Sequence, residues 1–390
     1  MARPRRVAYL RTMIDETILA RARAASEVIS PLAVQIEQDR RLPASAVEAL
    51  VRAGVFKLLV PRTFGGSQAH PATMVAVIEQ IARADGSAAW CTMVGATSGL
   101  MSMHLDEAIA REVYGPDDAI TCGVFAPMGR AVATDGGYRV SGRWPFASGC
   151  EHSKWRMGGA IVIGEGGPAE LLPNGAPDVR SMLFRADETR IHDTWDTNGL
   201  RGTGSHDIEV TDVLVPRERS FSLLTGAPKN ACYTLPFFGV LASGVAAVGL
   251  GIARAAIDTF VAMAKSKTPP GSKRTLAHRD LVQMDVARAE AKLRGARAFL
   301  YEAVEEATEA PSLVTRARLR LAASYAAEEA AAVVAIAYKA GGGAAIYSKS
   351  PLQRYFRDAH VVTHHIMVND VATTLAGRVL LDVESDTTTL

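Results

Sequence analysis

The chain has 390 residues, 48% hydrophobic and 22% charged, and this length allows two or three structural units with sizeable cores. Its 43 basic and 41 acidic residues leave a formal charge of only +2. Such a balance gives no electrostatic case for binding nucleic acid or an anionic membrane.

The first residues and the cysteines bear on the cellular compartment. The start, "MARPRRVAYLRTMIDET", is basic, but no long apolar run follows it, unlike a secretory signal. The four cysteines are far apart in the sequence and show no CxxC spacing: Cys91, Cys122, Cys150 and Cys232. We therefore expect reduced thiols in a cytoplasmic protein.

Residues 10–115 have the pattern of helices. Apolar residues recur at helical spacing in the first part, at Ile18, Ala22, Ala25, Ile29, Leu32 and Ile36. The next part, "RLPASAVEALVRAGVFKLLVPRTFGG", predicts a helix that starts near Pro43 and ends at Gly54. Residues 70–105 predict another pair of apolar helices.

Residues 118–220 have the pattern of strands. "AVATDGGYRVSGRWPFASG" alternates apolar and polar residues around an Asp-Gly-Gly turn, which predicts a hairpin. "WRMGGAIVIG", "VRSMLFRAD" and "HDIEVTDVLVP" predict further strands. Gly and Pro separate them at short intervals, as in a small β-barrel or sandwich.

Residues 228–382 are helical again. Long amphipathic runs at 281–310 and 316–340, followed by a helix near the C-terminal histidines, predict a four-helix bundle. The low-charge stretch 235–252 is about membrane length, but glycines interrupt it, and we interpret it as a buried core helix and its lead-in. The predicted fold class is α+β, with domains at 1–117, 118–222 and 223–390.

The common nucleotide and hydrolase motifs are missing from the sequence. "GLRGTGSHD" lies between predicted strands and "AGGGAA" does not follow one, so neither supports a Rossmann unit. There is no P-loop, HExxH or GxSxG motif. A redox cofactor would have to bind in another way.

Four segments taken together resemble the acyl-CoA dehydrogenase superfamily. They are "RLPASAVEALVRAGVFKLLVPRTFGG" (41–66), "GRWPFASGCEHSKW" (142–155), "WDTNGLRGTGSHDIEVTDVLVP" (195–216) and "SPLQRYFRDAH" (350–360). The match spans nearly the whole chain in the right order. The resemblance implies helical, β and C-terminal bundle domains, a flavin between the last two, and a tetramer.

The dehydrogenases of this superfamily use a glutamate base in one of two regions. Here the first reads "THHIMVN", with no acidic residue between Asp358 and Asp370, and the second, 223–256, has none at all. A base must reach the proton that it removes. A desaturase of the acyl-CoA dehydrogenase type therefore stays the alternative, and a non-catalytic scaffold is a third possibility.

The second branch consists of two-component flavin monooxygenases, which take reduced flavin from a separate reductase and use O2 to oxygenate a small molecule. "GRWPFASG" and the "RD…H" segment resemble this branch more closely, and His365 matches a histidine that contacts substrate or peroxide in several members. Histidine exchanges protons near neutrality, and a proton donor in a dry pocket helps oxygen transfer. We take His365 as the catalytic group in place of the glutamate.

His360 and His364 lie i, i+4 on the predicted helix, a spacing that also suits zinc. No third ligand is evident, so we assign no metal site and expect a capping or solvated role.

Flavin contacts follow from the same resemblance. Ser148 is expected to hydrogen-bond the flavin ring or the substrate, the alternative being a turn serine. Trp144 is expected to stack on the isoalloxazine, the alternative being plain core. Phe125 and Ala126 match the strand end that lines the flavin through backbone groups.

Two further segments match contacts to the cofactor. Arg274, within a basic cluster, is expected to bind a flavin phosphate from a neighbouring subunit, or to be solvated. Gly342 and Gly343 lie where the family's backbone approaches the cofactor. FMN and FAD stay equally open.

One departure concerns the substrate. Phenol-hydroxylating members commonly carry a histidine where this chain has Thr97 and Ser98, and His104 follows about two turns later. A phenolic substrate is therefore not assigned. Aromatic compounds, sulfur heterocycles, amines and other natural-product scaffolds stay open.

Overall fold

The computed structural model describes residues 13–164, 167–223, 225, 227–232 and 235–390. The α-helices of the described chain that precede the sheet are α1 (Glu16–Ile29), α2 (Ala33–Asp39), α3 (Ala44–Ala53), α4 (Pro71–Ala82), α5 (Gly86–Ser98) and α6 (Glu107–Tyr114).

Local sequence signals set the ends of these helices. Oδ1 of Asp15 accepts hydrogen bonds from the backbone N–H groups of Thr17 and Ile18, at 2.9 and 3.1 Å, and so caps α1. Gly54 ends α3 with φ = +72°, a conformation that glycine adopts without strain, and the predicted helix end is confirmed.

The strands form one mixed seven-stranded sheet in the order β5-β6-β2-β1-β3-β4-β7. They are β1 (Thr121–Thr134), β2 (Gly137–Trp144), β3 (Trp155–Ile163), β4 (Val179–Arg185), β5 (Arg190–His192), β6 (Asp207–Pro216) and β7 (Ser220–Phe221). The predicted hairpin is confirmed, because β1 and β2 pair antiparallel from Thr134 opposite Gly137.

The pairing of β1 with β3 is parallel and is interrupted once. Val124 lies opposite Gly158, but the next pair joins Gly129 to Ala160, so residues 125–128 have no partner in the register. β1 therefore has a bulge at residues 125–128, within a strand that is otherwise continuous.

A helical bundle follows the sheet. Its helices are α7 (Phe237–Ser266), α8 (Asp280–Glu309), α9 (Leu313–Gly341), α10 (Pro351–Thr363) and α11 (Asp370–Leu380). α7 packs against α4, α5 and three other helices of the bundle. The prediction of a buried core helix here is confirmed, since 20 of its residues are buried.

Two helices of the described chain are long and apolar enough to cross a membrane by length and composition. In Phe237–Ser266 the most apolar window is 94% buried inside the protein, and in Leu313–Ala344 it is 56% buried. Core helices of globular proteins pass the same test.

The helices, sheet and bundle together form the acyl-CoA dehydrogenase-like fold, and the predicted fold class is confirmed. The predicted boundaries, 117/118 and 222/223, fall in the connections between α6 and β1 and between β7 and α7. All four cysteines are free, and three of them are buried.

Candidate active site

A cavity of about 600 Å³ lies where α5, β1, α7 and the end of α10 meet. That volume is typical of sites for small organic ligands. The lining residues are Trp90, Met93, Val94, Thr97, Ser98, Met101, Gly123, Val124, Phe125, Ala126, Phe146, Ser148, Met157, Trp195, Leu200, Thr203, Ser205, Phe238, Leu241, Val361, His364, His365, Ile366 and Met367.

A buried ionic junction holds three walls of this cavity together. Asp85 caps α5, accepting a 2.8 Å hydrogen bond from the backbone N–H of Ala88. Asp358, on α10, accepts a 2.6 Å bond from the backbone N–H of Leu200. A Cβ added at Gly86, the residue after Asp85, would lie 3.4 Å from Oδ2 of Asp358, and the charge of Asp85 acts on Asp358, so both acids lie near the start of α5.

The junction carries charge in a desolvated place. Burial raises the pKa of Asp358 to about 7 and that of Asp85 to about 6. The negative charge of Asp85 further raises the pKa of Asp358, and that of Glu37 further raises the pKa of Asp85. The positive charge of Arg354 lowers both pKa values. The sequence reasoning used Asp358 only as part of a motif and missed Asp85.

His365 follows the end of α10 and reaches the cavity. Its ring packs edge-on against Trp90, with 5.4 Å between centroids. Nδ1 accepts a 3.3 Å hydrogen bond from the backbone N–H of Met367. Burial, and secondarily the charge of Arg320, lower the pKa of His365 to about 4. The ring is therefore neutral at pH 7 and, because Nδ1 is an acceptor, its proton lies on Nε2.

Ser148 belongs to a chain of hydroxyl groups with a fixed direction. The indole N–H of Trp90 donates to Oγ of Ser148 at 3.0 Å, and Ser148, Ser205 and Thr203 follow one another at 2.7 and 2.6 Å. The hydroxyl of Thr203 donates to the carbonyl of Leu200 at 2.8 Å.

An indole N–H can only donate, and each hydroxyl has one proton. Each proton therefore points along the chain from Ser148 to Leu200. Ser148 keeps one lone pair, so toward a ligand it can accept a hydrogen bond but has no proton left to donate.

Phe125 and Ala126 line the cavity within the interrupted part of β1. Residues 125–128 lack register partners on β3, so the bulge brings the backbone of Phe125 and Ala126 to the cavity wall. Phe125 also packs edge-on against Phe237, with 5.3 Å between centroids, which closes this side of the cavity.

The placement of Trp144 corrects the prediction of flavin stacking. The side chain is 0% exposed, its Nε1–H donates to the carbonyl of Gly159 at 2.8 Å, and its ring packs 5.7 Å from that of Phe184. It is not among the residues that line the cavity. An indole enclosed by the sheet offers no face to an isoalloxazine ring, and the core alternative describes it.

Arg274, Gly342 and Gly343 lie apart from the cavity. Arg274 is exposed in the connection between α7 and α8, where its backbone N–H donates to Ser272 Oγ at 3.1 Å. Gly342 and Gly343 are exposed at the end of α9, and Gly342 has φ = +55°. Their contacts to a flavin bound by another subunit stay predictions.

The remaining histidines are engaged locally. Nδ1 of His360 lies 2.6 Å from the carbonyl oxygen of Phe356, and its ring packs on that of Phe356, with 4.2 Å between centroids. His364 caps the C-terminus of α10 and is exposed at the cavity mouth. His104 stacks on Phe221 and is not a lining residue. Within the described ranges, no three His, Cys, Asp or Glu residues are placed to hold a metal ion.

Aromatic residues that the sequence reasoning did not single out form much of the site. Phe146 has φ = +65°, an unusual conformation for a bulky residue, and this directs its ring to Trp195, with 6.0 Å between centroids. Trp90 and Phe238 complete the aromatic lining. "GRWPFASG" pointed to the right loop, but which of its aromatic residues faces the cavity depends on the backbone conformation at Phe146.

Charge is missing from the wall itself. None of the described lining residues is Asp, Glu, Lys or Arg. The wall combines aromatic and aliphatic groups with five hydroxyls and two imidazoles. It is suited to hold a flavin ring and an apolar substrate and to donate a hydrogen bond from His365, and its described residues offer no carboxylate base.

Comparison with known proteins agrees with this chemistry. Family models match residues 14–111 (acyl-CoA dehydrogenase, N-terminal domain) and 243–370 (acyl-CoA dehydrogenase, C-terminal domain). An indole-3-acetate monooxygenase of Pseudomonas putida is 37% identical over 357 residues, with 88% of each chain covered. The flavin-dependent monooxygenase oxygenase subunit HsaA of Rhodococcus jostii (strain RHA1) is 32% identical, over 85% of this chain and 90% of HsaA.

Among solved structures, XiaF from Streptomyces sp., in complex with FADH2 and glycerol, matches with a TM-score of 0.83 and 27% identity. The match covers 94% of this chain and 95% of XiaF. The chain therefore belongs to the acyl-CoA dehydrogenase superfamily.

Within that superfamily it is the oxygenase component of a two-component, flavin-dependent monooxygenase. Such an oxidoreductase uses reduced flavin from a separate reductase to oxygenate a small organic substrate. The predicted family, activity and reduced-flavin cofactor are confirmed.

Proposed function

We propose that this chain oxygenates an aromatic small molecule in the cavity beside His365. One observation carries the proposal: the wall has a neutral imidazole with its proton on Nε2 and, among the described residues, no carboxylate. The relatives named for indole-3-acetate and resorcinol also act on aromatic compounds.

The residues present fit a reduced flavin. The bulge of β1 brings Phe125 and Ala126 to the wall where they can line a flavin ring, and Ser148 supplies an acceptor. A reduced isoalloxazine has a ring N–H that the oxidised form lacks. Because Ser148 can only accept, it favours binding of the reduced form. When bound, the reduced flavin supplies the electrons that activate O2.

His365 then acts as a hydrogen-bond donor and positioning group. Its Nε2–H can hydrogen-bond an oxygen at the cavity centre, and the ring is held in place by Trp90 and the N–H of Met367. The low pKa keeps it from becoming a cation, so it orients a neutral hydrogen bond. The aromatic wall excludes water, which protects reactive oxygen species from side reactions.

The desaturase alternative has no observation in its favour. It requires a base within hydrogen-bond reach of a substrate carbon acid, and the described lining has no Asp or Glu. The imidazole of His365 is a weak base, with its pKa lowered to about 4.

We further propose a cytoplasmic homotetramer in which Arg274 binds the phosphate of a flavin held by a neighbouring subunit. Its exposure, apart from the cavity, supports this, as do the exposed Gly342 and Gly343 at the end of α9. Light scattering gives the oligomeric state. Titration of reduced flavin against Arg274→Gln tests the phosphate contact, which is expected to weaken binding about tenfold.

The oxygenase proposal is tested by mixing the protein with reduced flavin under anaerobic conditions and then admitting oxygen in a stopped-flow instrument. We expect a transient absorbance that differs from those of reduced and oxidised flavin and that decays faster when an aromatic substrate is present. Reoxidation at the rate of free flavin, with hydrogen peroxide as the sole product for a panel of aromatic substrates, would refute it.

A further inference from the structure

Five buried lining side chains lie on α5, on the turn that follows it and on α7, and we call them the inner wall: Met93, Thr97, Ser98, Met101 and Leu241. These are at most 8% exposed, whereas Phe146 and Ile366 at the mouth are 67% and 64% exposed. A substrate that reaches the inner wall therefore leaves water, and any charge that it carries must be matched there.

No such match exists in the described wall. It contains no Lys or Arg, and His365 is neutral at pH 7 because its pKa is lowered to about 4. Arg320, whose charge acts on His365, does not line the cavity, and its Nη1 donates to the carbonyl of Thr389. His364 is a mouth residue, exposed to solvent.

The inner-wall hydroxyls are acceptors rather than donors. The hydroxyl of Thr97 donates to the carbonyl of Met93 at 2.8 Å, and that of Ser98 to the carbonyl of Gly95 at 2.8 Å. Each proton is thus held within α5. Without breaking its bond, Oγ1 of Thr97 can accept a hydrogen bond from a ligand but cannot donate one to a carboxylate, whereas Oγ of Ser98 is already paired with Oγ1 of Thr121.

We propose that the substrate of this chain is an uncharged aromatic compound with an N–H or O–H donor, such as an indole, and that aromatic carboxylates are excluded from the inner wall. The N–H or O–H group of the substrate donates a hydrogen bond to Oγ1 of Thr97. This inference rests on the proposed function, and it departs from the carboxylate substrate in the name of the indole-3-acetate monooxygenase that this chain resembles.

Three ligands that share one ring system distinguish the effect of charge on binding from that of size: indole, indole-3-acetamide and indole-3-acetate. Each is titrated at pH 7.5 into the protein loaded with reduced flavin, under anaerobic conditions, by isothermal calorimetry. Indole-3-acetamide and indole-3-acetate are nearly equal in size, so the difference between their affinities reports the effect of charge. We expect the acetate to bind at least about tenfold more weakly than the acetamide, because its carboxylate stays unpaired.

Equal or tighter binding of the acetate would overturn the inference, and so would failure of all three ligands to bind. No turnover is needed for this readout. A failure of the oxygenase proposal, seen as peroxide without product, is therefore distinguishable from a failure here.

The donor contact is tested by Thr97→Val, which keeps the shape and removes the acceptor. The wild type is expected to bind indole about three- to tenfold more tightly than 1-methylindole, and the variant is expected to lose that preference. Thr92→Val is the matched control, because Thr92 lies on the same helix with the same kind of hydroxyl bond, to Ala88, but does not line the cavity. An unchanged preference in Thr97→Val would overturn the assignment of Thr97.

Discussion

Replacing Asp358 by Asn tests whether ionisation of this buried carboxyl group destabilises the folded state. The introduced amide oxygen can still accept the hydrogen bond from the backbone N–H of Leu200, but the side chain no longer titrates. In the wild type, burial raises the pKa of Asp358 from 3.8 to about 7. The folded state therefore holds a proton that the unfolded chain releases.

The magnitude follows from this shift. About three pKa units at 1.36 kcal/mol each give about 4 kcal/mol as an upper limit. This stability is fully present below pH 3.8 and is lost as the pH rises through about 7. Asp85 shares the titration, since its pKa is raised to about 6 and the two carboxyls are coupled.

We expect the free energy of unfolding of Asp358→Asn, relative to that of the wild type, to shift in favour of the variant by up to about 4 kcal/mol between pH 4 and pH 8. The measurement is urea unfolding followed by tryptophan fluorescence at five pH values. Asp135→Asn, in the exposed hairpin loop, is the control and should give a profile parallel to that of the wild type. A parallel profile for Asp358→Asn as well would refute the reasoning.

Three further predictions concern the cofactor and the catalytic group. His365→Ala should lower oxygenation about a hundredfold while reduced flavin still binds, because only the Nε2–H donor is lost; equal loss of flavin binding would contradict the catalytic role. In the wild type, the oxygenation rate should show no inflection from His365 between pH 5.5 and 8, since its pKa is about 4; an inflection near 6.5 that disappears in His365→Gln would contradict the burial argument. Ser148→Ala should reduce the preference for reduced over oxidised flavin about three- to tenfold, measured by calorimetry with each form; an unchanged preference would show that Ser148 does not read the ring N–H.

Features that depend on local chemistry could be predicted from the sequence. Gly54 ends α3 because its left-handed conformation suits glycine, and Asp135 and Gly136 join β1 to β2 because an Asp-Gly pair favours a tight turn. The position of His365 came from a resemblance that extends over the whole chain, and the structure places it in the cavity wall.

Features that depend on contacts between distant segments could not be predicted from the sequence. Trp144, the last residue of β2, and Phe146 are two residues apart, and the sequence suggested only Trp144 for a flavin contact. The backbone at Phe146, with φ = +65°, and the closure of the sheet over Trp144 decide which ring is enclosed. The junction of Asp85 with Asp358 is equally invisible in the sequence, because 273 positions separate two acids that meet only when α5 packs against α10.

The distribution of charge explains how one fold can serve oxygen transfer rather than proton abstraction. Asp85 caps α5 and Asp358 joins α10 to the loop at Leu200, and neither of them nor Arg354 lines the cavity. The wall, as far as the structure describes it, has no Asp, Glu, Lys or Arg side chain, so a reaction in the cavity meets oriented hydrogen bonds rather than a charged side chain. A carboxylate in the wall would serve proton abstraction, but it would also attract water into the cavity. In this chain Asp85 and Asp358 lie outside the cavity wall, where they position α5 and the loop at Leu200 without drawing water into the cavity.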